Sequence, residues 1–189
     1  MSAVLNIQPI QTVYRGYRFR SRLEARHAVL FDTLEIPWRY ETQDYIVLRS
    51  GTRYLPDFWM PQQDCWIEIK GEAPTDQEQA KCAGLAEVTG KNVFCFFGNI
   101  VSPKYQDFEN NDGAYVWIPN GQEAAWDNFH QWCECSQCGF FGIEYSGRSE
   151  RLCCPCLKDQ PKTYNYDTPR LVRAYDAARA ARFEFGEEG

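Results

Sequence analysis

Two hydrophobic periods alternate along this chain. Over residues 21–36, Leu23, His27, Leu30, Phe31 and Leu34 recur at three- and four-residue steps, the stripe of a helix with one buried face. Pro37 ends that pattern. Residues 38–48, 53–60 and 65–70 carry strand-like sequence, with Ser50-Gly51 turning the first strand into the second. Thr75-Asp-Gln-Glu78 forms a capping box that opens a second helix, which runs through Leu85 and stops near Gly90. Residues 92–97 read as a buried strand. Helix, three strands, helix, strand is the order of an α/β fold with a mixed central sheet flanked by helices. Further on, residues 99–113 read as a polar loop, 114–118 as an edge strand and 123–132 as a short helix. Over 169–185, Leu171, Ala174, Tyr175, Ala178 and Phe183 suggest an amphipathic helix packing back on the rest.

Charge inside the strand-like sequence changes this picture. Asp57, Glu68 and Lys70 lie in apolar surroundings, where a charge is costly to bury unless paired or bound to metal. Alternation along 66–70 puts Glu68 and Lys70 on one face and Ile67 and Ile69 on the other, while Asp57 shares its face with Leu55 and Trp59. Pairing the two strands brings two carboxylates and a lysine to one side of a sheet, a grouping that a divalent cation and an activated water would explain. Lys70 also reads as a structural ion pair for Glu68. Glu24 borders the buried stripe of the first helix and points toward the sheet, either as part of this group or as a partner for Arg20 or Arg22.

The chain has 189 residues, 44% of them hydrophobic, which allows an ordinary domain plus a small appendage. No apolar run approaches the length of a membrane span and the N-terminus lacks a signal pattern, so a cytoplasmic protein is expected. A net charge of −6 argues against wholesale coating of nucleic acid. The charge is uneven, however: Arg15, Arg18, Arg20, Arg22 and Arg26 face one acid, Glu24, and Arg148, Arg151, Lys158 and Lys162 form a second basic group. Each group reads as a phosphate-binding patch or as a solvated surface.

Pro56-Asp57 and Glu68-Ile69-Lys70, with Glu24 on the first helix, resemble the motif of the PD-(D/E)XK nuclease superfamily, and the element order over roughly residues 15–98 is similar to its core. Holliday-junction resolvases and transposon-end nucleases are the compact members it is closest to in style. The resemblance implies a restriction-endonuclease-like core over 12–120 and a metal-dependent endonuclease acting on DNA. Asp57, Glu68 and the Ile69 carbonyl would hold Mg²⁺ or Mn²⁺, one ion or two. Glu24 would assist directly or through water, Lys70 would orient or deprotonate the attacking water, and Glu72 is a further acidic candidate. Arg18, Arg22 and Arg26, spaced by four at the start of the helix, would lie beside the cleft and hold phosphates together with Arg15. Tyr14, Tyr17 and Phe19 would stack on bases or pack in the core.

Nine cysteines complete the inventory, six of them between Cys133 and Cys156. Cys65, Cys82 and Cys95 read as small buried hydrophobes. Cys135-Ser-Gln-Cys138-Gly139 and Cys153-Cys-Pro-Cys156 pair two C-x2-C turns across a spacer of fourteen, the spacing of a four-thiolate Zn²⁺ site. Cys133 and Cys154 are read as spares, although either, or His130, could replace a chosen ligand. Residues 140–145, a Ser146-Gly147 turn and the segment to Leu152 would form the hairpin of a zinc ribbon over 133–162. A connecting helix over 121–132 would precede it, and a C-terminal helix with an acidic tail would occupy 163–189. Arg148 and Arg151 on the ribbon could grip nucleic acid. Three functional readings stay open: a nuclease, alone or as a homodimer; a nuclease subunit active only with a partner protein; and a non-catalytic adaptor for nucleic acid or protein.

Overall fold

The computed structural model describes residues 10–42, 44–47, 51–105, 113–119, 130–152, 154, 156 and 163–183, with the backbone alone at 45–47 and 105. A short hairpin, β1 (Thr12–Tyr14) and β2 (Tyr17–Phe19), leads into Ser21, which is extended and accepts the Glu24 N–H on its hydroxyl at 3.1 Å. That cap starts α1 (Arg22–Thr33) at the position the sequence indicates. The helix closes earlier than residue 36, because Glu35 adopts φ 57° and the backbone can no longer continue the helix.

The long strand expected over 38–48 is broken at Glu41, whose φ of 44° ends a two-residue strand, β3 (Arg39–Tyr40). Its continuation, β4 (Tyr45–Val47), leaves the main sheet and pairs with β5 (Thr52–Tyr54) in a separate ribbon. The strand expected over 53–60 breaks too. Leu55-Pro56-Asp57 separates β5 from β6 (Phe58–Met60), in keeping with a proline that has no N–H to give a ladder. The main sheet runs in the order β3, β6, β7 (Cys65–Lys70), β8 (Asn92–Phe97), β9 (Tyr115–Trp117). β7 is antiparallel to β6 and parallel to β8, and α2 (Asp76–Thr89) makes the crossover between those parallel strands. The expected capping box is present at Thr75 and Glu78, and Gly90 ends α2 at φ 66°. The fold is therefore mixed α/β, with a mixed sheet flanked by helices.

Alternation assigns the two faces. Phe58, Met60, Ile67, Ile69 and Phe94 join Phe19, Leu30 and Phe31 in the larger core. Trp66 and Val93 join Cys82, Leu85 and Ala86 of α2 on the other face, with Tyr54, Trp59 and Trp117 packed against them. β7 is thus covered on both faces, and charged Glu68 lies within it, fully buried.

The cysteine-bearing region is part of this architecture. Residues 130–132, expected at the end of a helix, belong to β10 (His130–Glu134), while 121–129 lie outside the described residues. β11 (Phe141–Tyr145) pairs back onto β10 and not forward onto the segment to Leu152, which instead holds a 3-10 turn at Ser149–Arg151. In the upstream pairing Trp132, Phe141 and Ile143 are buried in the larger core, and burial of that apolar area favours it. The Trp132 ring centroid lies 5.7 Å from that of Phe31 and stacks over Phe96 at 6.4 Å. α3 (Pro169–Ala180), capped by Thr168, packs on α1 and adds Leu171, Ala174, Tyr175 and Ala178 to the same core. Among the described residues no helix is long and apolar enough to cross a membrane.

Trp132 joins the hairpin to the sheet, so Trp132→Ala is expected to cost about 3–5 kcal/mol. Urea unfolding followed by near- and far-UV circular dichroism should show both signals shifting together to lower denaturant.

Candidate active site and candidate metal centre

Antiparallel pairing of Phe58 with Ile67 sets Asp57, just ahead of β6, opposite Glu68. The Asp57 N–H donates to Glu68 Oε1 at 3.1 Å, and the Ile69 N–H donates to Asp57 Oδ2 at 2.8 Å. Each carboxylate is thus fixed by the other's strand, and both are buried, Asp57 at 1% exposure and Glu68 at 0%. Lys70 Nζ lies 3.0 Å from Glu68 Oε2 and 3.9 Å from Glu78 Oε1. Ile69 turns its side chain into the opposite core, and Glu72 is exposed beyond the strand.

Glu24 reaches the same region from the first turn of α1. Its Oε2 accepts the Tyr40 hydroxyl at 2.6 Å and the Arg20 N–H at 3.2 Å, and its Oε1 accepts the Ser21 hydroxyl at 2.7 Å. The expected pairing of Glu24 with Arg20 therefore runs through the main-chain amide. The Arg20 guanidinium goes elsewhere, with Nη2 2.5 Å from Asp57 Oδ1 and Nε 2.7 Å from Glu41 Oε1. Arg20, Tyr40 and Glu41 are the members that sequence reasoning did not assign to the site. Their signal was weak: Arg20 sat among four other arginines, and Tyr40-Glu41 read as the middle of an unbroken strand.

Burial, followed by repulsion from Glu68 and Glu24, raises the Asp57 pKa well above its ordinary value, and Lys70 and Arg20 only partly offset this. Burial alone would lower the pKa of Lys70, but the Glu68 and Asp57 carboxylates outweigh it and keep the ammonium charged. Five carboxyl groups (Glu24, Asp57, Glu68, Glu41 and, at the edge, Glu78) thus meet two cations (Arg20, Lys70) in a largely buried cluster. The cluster is short of positive charge.

The second centre is built from a tight turn after β10. Gly139, at φ 72°, donates its N–H to the Cys135 carbonyl at 2.9 Å, while the Cys138 N–H points to Cys135 Sγ at 3.5 Å. Burial acts to raise the Cys135 thiol, but the backbone N–H groups of Cys138 and Gln137 overcome it and bring the pKa down to about 6, which favours the thiolate. The sulfurs of Cys135, Cys138, Cys154 and Cys156 all lie within 4.8 Å of one another, a group that could hold a metal ion. Cys154, read as a spare, belongs to this group, whereas Cys153 lies outside the described residues. Spacing cannot rank adjacent cysteines. Just upstream, buried Leu152 packs closely on Gly142, where a β-carbon would sit 2.5 Å from Leu152 Cδ2. Cys133 is fully buried, its thiol pushed up by burial and then by Glu144, and it stands outside the group. His130 packs its ring against Phe94 and Tyr145 and is not a member either.

No family model, curated protein or solved structure matches this chain.

The arginines fall into two sets. Arg15 sits at the β1–β2 turn with φ 47° and pairs with Asp32 at 3.1 Å, Arg18 is exposed on β2, and Arg22 and Arg26 lie half-buried on the first turns of α1. Arg148 packs over the rings of Tyr145 and Tyr164, with centroid distances of 5.7 and 5.9 Å, and Arg151 is exposed nearby. Tyr14 and Phe19 are core residues, while Tyr17 is 44% exposed and lies against Trp38. Cys65, Cys82 and Cys95 are buried free thiols.

These geometries predict two outcomes. The raised pKa means that Asp57 supports the fold fully below the ordinary carboxylate value of 3.8, and that this support is lost as pH rises through the raised value. Asp57→Asn should therefore raise the melting temperature at pH 7 without added divalent cation, with the gain vanishing as pH falls toward 4 in a thermal denaturation series. At the cysteines, Cys154→Ser should abolish stoichiometric metal, whereas Cys133→Ser should retain it, as read by elemental analysis of purified protein.

Proposed function

We propose that the chain is a metal-dependent endonuclease that hydrolyses DNA phosphodiester bonds, with a restriction-endonuclease-like core of the PD-(D/E)XK kind. The supporting observation is the buried pair Asp57 and Glu68, interlocked across two strands beside a charged lysine and short of positive charge. Asp57 and Glu68 suit a hard divalent cation such as Mg²⁺ or Mn²⁺, with the Ile69 carbonyl as a third oxygen and Glu24 assisting. A bound cation would supply polarisation of the scissile phosphate and a more acidic water. Asp57 and Glu68 would hold their oxygens in place because each is fixed by a backbone N–H of the neighbouring strand. Lys70, kept protonated by Glu68 and Asp57, would donate to the attacking water or to the developing phosphate charge; in this form it has no lone pair with which to accept a proton. Glu24 is already engaged by Tyr40, Arg20 and Ser21, so its help would be to shape the site's N-terminal wall.

The four-cysteine group suits Zn²⁺. Sulfurs at about 2.3 Å from zinc stand about 3.8 Å apart in a tetrahedron, close to the observed clustering within 4.8 Å. Such an ion would brace the turn after β10. Arg148, held over two tyrosines, and exposed Arg151 would contact substrate, joined by Arg15, Arg18, Arg22 and Arg26 around the start of α1. The free thiols of the described cysteines agree with a reducing, cytoplasmic setting. One catalytic site per chain means that cutting both strands of a duplex would take a homodimer, a partner protein or two successive nicks.

The deciding assay incubates supercoiled plasmid and branched DNA with Mg²⁺ or Mn²⁺, comparing wild type with Asp57→Ala and Lys70→Ala. Metal-dependent nicking is expected, reduced about 10²-fold or more in both variants, with folding and cysteine-bound metal unchanged. Well-folded wild-type protein that cuts neither substrate would sink the nuclease and leave the adaptor or the partner-dependent subunit.

A further inference from the structure

Arg20 comes to the site from outside. Its side chain is 51% exposed, whereas that of the Asp57 it contacts is 2% exposed, so the guanidinium caps a buried carboxylate from the solvent side. Its main chain is pinned, the N–H donating to Glu24 Oε2 at 3.2 Å and to the Tyr40 hydroxyl at 3.1 Å. The two oxygens of Asp57 differ in consequence. Oδ2 receives the Ile69 N–H and is spoken for by the fold, while Oδ1 faces Arg20 Nη2. Glu41, whose N–H is fixed to the Asp57 carbonyl at 3.0 Å, steadies the guanidinium from its other side through Nε. A cation binding Asp57 through Oδ1 would have to share that oxygen with a positively charged group, and at such range like charges repel.

We propose that Arg20 is a displaceable occupant of the cation position at Asp57. It pairs with Asp57 when no divalent cation is bound and yields when one arrives. Still anchored through its backbone to Glu24, it then turns to bind a phosphate of the substrate. This rests on the metal-dependent reading above and adds a positioning residue to it. Guanidinium chemistry suits both states, since the planar fork that spans Asp57 and Glu41 also matches a phosphate. Lys70 does not share this behaviour: it is more enclosed, at 26% exposure, and stays with Glu68.

The test is calorimetric titration of Mn²⁺ into the full chain as purified, for wild type, Arg20→Ala, Arg20→Gln and Asp57→Asn. Removing the competing charge should tighten Mn²⁺ binding about tenfold in both Arg20 variants, the equivalent of about one unit of carboxylate pKa shift from a neighbouring charge. A residue that merely supported the site would act in the opposite direction. The glutamine variant keeps much of the side chain and carries the test if the alanine variant misfolds. DNA affinity supplies the second arm: Arg20→Ala should bind a duplex more weakly than wild type in Ca²⁺, yet equally without divalent cation, because there the guanidinium is already engaged. Unchanged or weaker Mn²⁺ binding in both variants would overturn the proposal, as would an equal loss of DNA affinity with and without Ca²⁺. Mn²⁺ binding that survives Asp57→Asn undiminished would remove the cation site itself, and with it the nuclease reading.

Discussion

Two carboxyl groups, Asp57 just ahead of β6 and Glu68 on β7, stand opposite each other closed to water, and the surrounding elements answer the charge they bring. Backbone N–H groups of the β6–β7 pair hold one oxygen of each. Lys70 answers Glu68 and Arg20 answers Asp57. The breaks that shorten the expected strands lie at the same place. Glu41 bends the chain so that its carboxylate meets Arg20, and Pro56 interrupts the β5–β6 run so that Asp57 turns inward. Burying two carboxyl groups side by side in a well-packed sheet works against folding, which is why burial and its neighbours raise the Asp57 pKa.

The same sheet supports the cysteine hairpin from its other face. Trp132, Phe141 and Ile143 share a core with Phe31 and Phe58, and α3 seals it against α1. The carboxylate cluster and the four-cysteine group therefore stand on one framework. Further ties cross between its parts: Gln63 donates to the Phe141 carbonyl at 2.8 Å, and Arg170 pairs with Glu134 while covering the Phe141 ring. The hairpin beneath the cysteine turn thus has apolar support of its own, and the four thiols above it form a group that could hold a metal ion.

What the sequence determined by itself are features written in neighbouring residues. The Ser21 cap, the Thr75–Glu78 capping box, the alternation of β7 and the Cys135–Cys138 turn with Gly139 are set by chemistry within a few positions, and the structure has them where the pattern points. The grouping of Asp57, Glu68 and Lys70 was legible for the same reason, since period-two alternation fixes the face. Tertiary structure alone decided the rest. Strand 38–48 breaks because Glu41 is drawn into a left-handed turn beside Asp57, a contact with no local signature. β10 replaces the end of an expected helix and β11 pairs backward, and in this pairing Trp132, Phe141 and Ile143 are buried against a distant sheet. Cys154 meets Cys135 and Cys138 from beyond the β10–β11 hairpin, and the Arg20 guanidinium reaches Asp57 across 37 positions of chain. Local chemistry names the elements and the candidate residues; which of them meet is settled by the burial of apolar area contributed from far along the chain.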